Sequence, residues 1–221
     1  KTTDDLLIQP ETSGLTGVAG IGSRAPAINA GTVENSGIEF LISYRDQFSD
    51  NFKFNTSFNF TSINNNVTYV GNLAGFEQGG GFGVGTGIIT SRMEAGHSMG
   101  YFYGYKTNGI YQNQGEIDVL NADATSNENI YHTGAGVGDL RFVDTNGDGY
   151  ISEVDKTDIG DPIADITAGL NLGFSYKKID FSASAIGSFG NNMVRDYQRF
   201  NLLANKSESL INRWTPTNPS N

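Results

Sequence analysis

The strongest pattern along the chain has a period of two. Across residues 51–63, Phe52, Phe54, Thr56, Phe58 and Phe60 alternate with Lys53, Asn55, Ser57, Asn59 and Thr61, as in a β-strand with one apolar and one polar face. Upstream, Ile38, Phe40, Ile42 and Tyr44 alternate with Glu39, Leu41, Ser43 and Arg45, and a short link over residues 46–50 joins the two runs into a predicted hairpin. A second hairpin is predicted near the end. There Ile166, Ala168, Leu170, Leu172, Phe174 and Tyr176 alternate with small or polar residues and the chain turns at Lys177-Lys178. Ile179, Phe181, Ala183 and Ala185 then lead back, before residues 187–192 break the pattern.

These strands run to about eight to twelve residues, near the length a tilted strand needs to cross a bilayer. A soluble β-sandwich shows the same alternation, so the connections have to separate the two. Both hairpin turns are short, whereas the stretch from Ser62 to Ala164 far exceeds ordinary loop length. Short turns at one rim and long loops at the other are what bacterial barrels show. The predicted fold class is therefore all-β, part of a large transmembrane antiparallel β-barrel with long extracellular loops. If both tight turns are periplasmic, the connection between the hairpins is wholly extracellular.

The chain then divides into the end of a preceding strand and an outer loop (1–32), a barrel hairpin (33–61), a long acidic extracellular loop (62–163), a second barrel hairpin (164–190) and a further outer loop (191–221). Phe52, Phe54, Phe58, Phe60, Leu170, Leu172 and Phe174 are expected to face lipid, and Asn55, Ser57, Asn59, Asn171 and Ser175 the lumen. Tyr44, Phe52, Phe54, Phe174, Tyr176 and Phe181 lie near the tight turns. They fit an interfacial aromatic girdle, although Phe and Tyr suit strands in any setting.

Composition supports strands and irregular loops, with 29 Gly and, together, 14 Phe and 10 Tyr among 221 residues. No apolar run is long enough for a membrane helix, a test that is blind to spanning strands. Cysteine is absent, which removes disulfides, thiolate metal sites and a Cys nucleophile. Residues 1–7 carry no apolar signal core, so any export signal is expected upstream. The net charge of −10 argues against a nucleic-acid partner. Residues 62–163 hold 13 acidic against 4 basic side chains, so nearly all of that imbalance sits in the long loop.

Within this loop, residues 144–155 follow the spacing of a calcium-binding loop. Asp144, Asn146 and Asp148 would offer side-chain oxygens, Tyr150 its carbonyl, Ser152 a water-mediated contact and Asp155 the last carboxylate, with Gly149 supplying the sharp turn. Asp155 replaces the usual Glu, and residues 140–143 read as strand where a helix is usual. A metal-free turn, in which Asp and Asn side chains bond their own backbone, is the competing reading. The expected ion is Ca2+, held structurally.

Other candidates carry less. The glycine run over residues 79–87 lacks the Gly-Lys-Ser/Thr ending of a phosphate loop and reads as a flexible loop. His97 and His132, the two histidines, stand in no metal or triad spacing. Glu116 with Asp118, or Glu153 with Asp155, are close in sequence, which says nothing about a glycosidase carboxyl separation. No catalytic residue is assigned, and the chain is not expected to be an enzyme. Tyr101, Phe102, Tyr103, Tyr105, Tyr111 and Trp214 could stack on sugars, anchor a partner or pack the loop itself.

Several segments together resemble one family. Residues 100–112 read Gly-Tyr-Phe-Tyr-Gly-Tyr-Lys-Thr-Asn-Gly-Ile-Tyr-Gln, and residues 138–149 read Gly-Asp-Leu-Arg-Phe-Val-Asp-Thr-Asn-Gly-Asp-Gly. Ile159-Gly160-Asp161-Pro162, Phe174-Ser175-Tyr176-Lys177 and Arg213-Trp214-Thr215-Pro216 follow in order, and residues 1–7 and 35–39 fit earlier segments. This succession resembles the late-barrel region of SusC/RagA-type TonB-dependent outer-membrane transporters. The resemblance implies import of glycan or peptide fragments, TonB acting through a part outside this chain, a SusD-type surface lipoprotein as partner, and a plug and further strands elsewhere. Four strands cannot close a barrel, and an open edge in lipid leaves unpaired backbone groups, so the rest of the barrel is a necessary partner. The alternative is a soluble extracellular β-module, braced by calcium and binding carbohydrate.

Overall fold

A computed structural model describes residues 1–8, 27–79, 90–124, 130–195 and 207–219. Its strands are β1 (Thr2–Thr3), β2 (Leu7–Ile8), β3 (Ile28–Asn29), β4 (Gly31–Ser49), β5 (Phe52–Val70), β6 (Phe76–Gln78) and β7 (Ser91–Glu94). They continue with β8 (Tyr101–Gly104), β9 (Thr107–Ile110), β10 (Leu140–Phe142), β11 (Thr157–Gly160), β12 (Ile166–Tyr176) and β13 (Ile179–Phe189). One helix, α1, spans Gln114–Asp123. The chain forms two compact units, one of Lys1–Gly79, Arg92–Tyr101 and Gly160–Met193, the other of Gly80–Ser91, Phe102–Ile159 and Val194–Asn221.

The first unit is built on an antiparallel sheet in the order β1-β4-β5-β12-β13. The two hairpins thus pair with each other through β5 and β12, although about a hundred residues of chain lie between them. Alternation makes the two faces chemically distinct. Phe58 stands opposite Ile42 on one side and Leu170 on the other, Phe60 opposite Phe40 and Ala168, and Phe174 opposite Phe54 and Phe181. Cross-strand pairs of this kind contribute roughly 0.2–1 kcal/mol each. Near the tight turns the rings run on as a band, with Phe48–Phe52 at 5.7 Å, Phe52–Phe174 at 6.5 Å and Phe174–Phe181 at 5.0 Å between centroids.

The opposite face is polar and hydrogen-bonded across strands. Asn171 Nδ2 donates to Ser57 Oγ at 3.2 Å, and Ser184 Oγ donates to Asn171 Oδ1 at 2.7 Å. A shallow concavity of about 630 Å3 on this face is lined by Ser43, Arg45, Asn55, Ser57, Asn171 and Ser184 among others. Gly169 and Gly173 give up side chains so that the amides of Asn59 and Asn55 can lie across them, where an added Cβ would collide with each amide oxygen. Leu41, Ile63 and Ile186 are apolar exceptions on this face.

Two boundaries differ from the sequence reading. The first turn is only Asp50-Asn51, because β4 runs on to Ser49. The second turn lies beside it, Lys177 N donating to Asn51 O at 2.8 Å, and Lys177 takes a positive φ of 55°. β5 continues to Val70, so Ser62–Val70, read as loop, belong to the sheet. Asn64, Asn65 and Asn66 are poor strand formers, but the ladder carries them: Asn65 Nδ2 donates to Asn35 Oδ1 at 2.7 Å, and beyond them Val67 pairs with Val33. There the polar face gives way to a small core of Ile8, Ala30, Val33, Val67, Val70 and Met93. The segment carrying Met93 is tied to β5 by Val67 N donating to His97 O and Gly96 N to Val67 O, each 2.8 Å, and by Met99 N donating to Asn65 Oδ1 at 2.8 Å.

In the second unit residues 140–142, read as strand, form β10, which pairs antiparallel with β9. The helix is a correction, since residues 114–123 read as loop. Asn113 caps it by accepting from Glu116 N at 3.1 Å, while Glu116 accepts from Gln112 N at 3.1 Å. Asn-x-x-Glu at a helix start is a capping pattern. It was hidden because the helix buries only Ile117 and shows no broad apolar stripe.

Candidate metal centre in the acidic loop

β10 leads directly into residues 144–155, which fold on their own side chains. Asp144 accepts from Gly147 N at 2.6 Å and from Gly149 N at 2.8 Å. Both glycines have positive φ, 77° and 90°, a conformation that costs other residues strain. Asn146 Oδ1 accepts from Asp148 N at 2.9 Å and its Nδ2 donates to Asp148 Oδ2 at 2.9 Å. Asp148 Oδ1 accepts from Tyr150 N at 3.2 Å.

Asp155 closes the loop from its far end and is fully buried. Its Oδ1 accepts from Thr145 N at 2.9 Å and its Oδ2 from Ser152 N at 2.7 Å, while its carbonyl accepts from Thr145 Oγ1 at 2.9 Å. Burial by itself pushes the Asp155 carboxyl upward, but the N–H groups of Ser152, Thr145 and Asn146 outweigh it and hold the pKa below the ordinary value.

One carboxylate oxygen from each of Asp144, Asp148 and Asp155 lies within 4.8 Å of the others. Three negative charges at that spacing repel, and each Asp144 oxygen keeps a second lone pair beyond the loop hydrogen bond it accepts, whereas the Asp155 oxygens already accept from Thr145, Asn146 and Ser152. The arrangement can therefore take a hard, oxygen-seeking cation without dismantling its own turns. Ser152, read as a water-mediated ligand, forms a capping box with Asp155 at the start of the single turn Glu153–Asp155. Asn146 is engaged with Asp148. Sequence reasoning missed Thr145, which bonds Asp155 through both backbone and hydroxyl and has no sequence signal. Tyr105, one of the loop aromatics singled out in the sequence, packs the loop itself, its hydroxyl donating to Glu153 at 3.2 Å and its ring stacking on Phe142 at 4.8 Å.

The remaining candidates resolve into structure. Tyr101, Phe102 and Tyr111 are buried. Trp214 packs on Gly138 and donates from Nε1 to Gln112 Oε1 at 2.9 Å. Glu116 serves the helix cap, Asp118 accepts from Gln114 Nε2 at 2.9 Å, and Glu153 pairs with Lys156 at 2.5 Å. His97 stacks on Tyr101 at 4.2 Å, and His132 lies against Phe142 at 5.0 Å with its pKa lowered by burial, against the pull of Asp139. Of the glycine run, residues 80–87 lie outside the described residues.

No family model matches the chain. Individual proteins do. A TonB-dependent receptor of Formosa agariphila is 30% identical over 221 residues, covering 99% of this chain and 21% of the receptor. The TonB-dependent receptor SusC of Bacteroides thetaiotaomicron is 30% identical over 179 residues, covering 81% of this chain and 16% of the receptor. The chain belongs to the SusC/RagA family of TonB-dependent receptors. It spans about one fifth of the length of the curated relatives it matches. Two solved structures have the same fold. The RagAB peptide transporter matches with a TM-score of 0.66 at 20% identity, over 98% of this chain and 22% of that one. The RagAB peptide importer in its open-open state matches with a TM-score of 0.64 at 19% identity, over 100% of this chain and 22% of that one. The five-stranded sheet accordingly has the fold of a piece of such a transporter barrel, and the relatives are named as receptors and transporters, not enzymes.

Proposed function

We propose that this chain forms part of the barrel wall of a TonB-dependent importer in the bacterial outer membrane, taking up glycan or peptide fragments with a SusD-type lipoprotein on its outer side. The observation that carries the reading is the two-faced sheet. Ile38, Ile42 and Phe58 stand exposed on one continuous apolar face, a surface that water disfavours and lipid accepts. The Ser57–Asn171–Ser184 face suits a wet or plugged lumen. The aromatic band at the tight-turn rim fits a membrane interface, and residues 71–165 then lie on the extracellular side. TonB acts through a part of the receptor outside this chain. In cells carrying the full-length receptor, fluorescent oligosaccharides and peptides are expected to accumulate only with intact TonB, and the receptor to leave the membrane only with detergent. Uptake unchanged without TonB, or release by a salt wash, defeats the reading.

The second part of the reading is a calcium ion braced by Asp144, Asp148 and Asp155, with Asn146, the Tyr150 carbonyl and Ser152 around it. The convergence of three carboxylate oxygens supports it, as does the absence of His or Cys in residues 144–155, which disfavours softer metals. The ion would order the loop and take no part in chemistry.

A further inference from the structure

Two Asn-Gly pairs occur among the described residues, Asn108-Gly109 and Asn146-Gly147, and the fold treats them oppositely. Asn108 and Gly109 sit where the β9–β10 register slips. Thr107 pairs with Phe142 and Ile110 with Leu140, leaving both residues opposite Arg141 alone. This is a bulge, whose extra residue is unpaired. Asn108 is exposed and its side chain makes no hydrogen bond among the described residues, while its carbonyl accepts from Arg141 Nε at 2.8 Å. Gly109 has a φ of 84°. In Asn146-Gly147, by contrast, the amide is held at both ends by Asp148, and Gly147 N is held by Asp144.

The geometry points to Asn108-Gly109 as a site of spontaneous deamidation, and to Asn146-Gly147 as the same chemistry suppressed by the acidic loop. The Gly109 nitrogen, losing its proton, attacks the Asn108 side-chain carbon. A C–N bond forms, the carboxamide C–N bond breaks, and ammonia leaves a five-membered succinimide. Water then opens either carbonyl, giving Asp or isoaspartate at position 108. Nothing is oxidised or reduced, and water is the only co-reactant. Glycine is the favoured neighbour because it has no Cβ to obstruct the approach. The product puts a carboxylate beside Arg141, which already lies 3.9 Å from Glu116. Isoaspartate also adds a backbone atom inside the bulge, which loosens β9 from β10. At Asn146 the same attack requires the side chain to leave two hydrogen bonds and Gly147 N a third.

The test is ageing of the purified full-length receptor at 37 °C, with trypsin and peptide mass spectrometry. Cleavage after Lys106, Arg141 and Lys156 places the two sites in separate peptides. Native receptor is expected to convert Asn108 at least about tenfold faster than Asn146, the factor that breaking the extra hydrogen bonds implies. Conversion should rise with pH, and the two rates should converge in urea. Asn146 reacting as fast as Asn108 in the native state, or Asn108 remaining silent while the urea-unfolded sample reacts, overturns the proposal. Either outcome is independent of what the receptor imports.

Discussion

The sheet and the acidic loop are stable for opposite reasons. Around Phe58 and Asn171 the backbone is regular, every residue has a cross-strand partner, and specificity lies in which face each side chain takes. The apolar face of the sheet has no partner among the described residues. Around Asp144 and Asp155 the backbone is irregular, and side-chain carboxylates do the work of a ladder by accepting from Gly147, Gly149, Thr145 and Ser152. Regular structure tolerates substitutions that preserve polarity by face. Irregular structure tolerates almost none at its few anchoring oxygens.

The largest effect that probes this contrast comes from a charge on one face or the other. Phe58→Arg should cost about 2–4 kcal/mol in unfolding of the full receptor from membranes, whereas Asn59→Arg, one residue along on the other face, should cost far less. Equal losses would mean that the two faces see the same medium.

In the loop the corresponding change is Asp155→Asn, which has one acceptor oxygen where the carboxylate has two. A buried donor left unpaired costs about 1–3 kcal/mol, so amide exchange at Thr145 and Ser152 should quicken while β5 and β12 stay protected. Because the folded-state pKa of Asp155 is depressed below its ordinary 3.8, its contribution is present above that pH and lost as pH falls through the lower folded-state value. Loop protection should therefore be flat near neutrality and fail only in acid below 3.8. Failure already near pH 6 would point to a group other than this carboxylate.

Removing calcium should have the smallest effect. At 1 mM free ion and a dissociation constant of about 10⁻⁴ to 10⁻³ M, binding stabilises the loop by roughly 0.4–1.4 kcal/mol. Chelation of the full receptor should raise exchange across residues 144–155 and leave the strands unchanged. Exchange there that is indifferent to added calcium rejects the ion.

The two regions also differed in how much their sequences reveal. Half-buried strands announce themselves, because Phe52 to Phe60 must alternate to serve two faces, and the register that pairs Phe58 with Leu170 follows from that alternation. The end of β5 was not legible. Asn64, Asn65 and Asn66 are held by pairing with Asn35 and its neighbours, a tertiary effect that overrides local preference. The spacing of Asp144, Asp148 and Asp155 was legible because a sharp glycine turn brings those positions together. The role of Thr145 was not, since a backbone N–H looks the same at every position. The helix had a readable cap in Asn113 and Glu116 but almost no apolar face to call attention to it.

The pairing of β5 with β12 has a consequence for how such a receptor can change over time. Ser62 stands opposite Ile166, and Ile63 N donates to Asp165 O at 2.9 Å, so the chain leaves the sheet at Val70 and returns to it beside the same strand, both sides of this doorway being fixed by β5. An insertion whose ends are already held together adds little closure entropy as it lengthens. Lineages can therefore lengthen, shorten or exchange what lies beyond that doorway without shifting the register of the wall. Outer ornament and membrane scaffold are free to diverge at different rates.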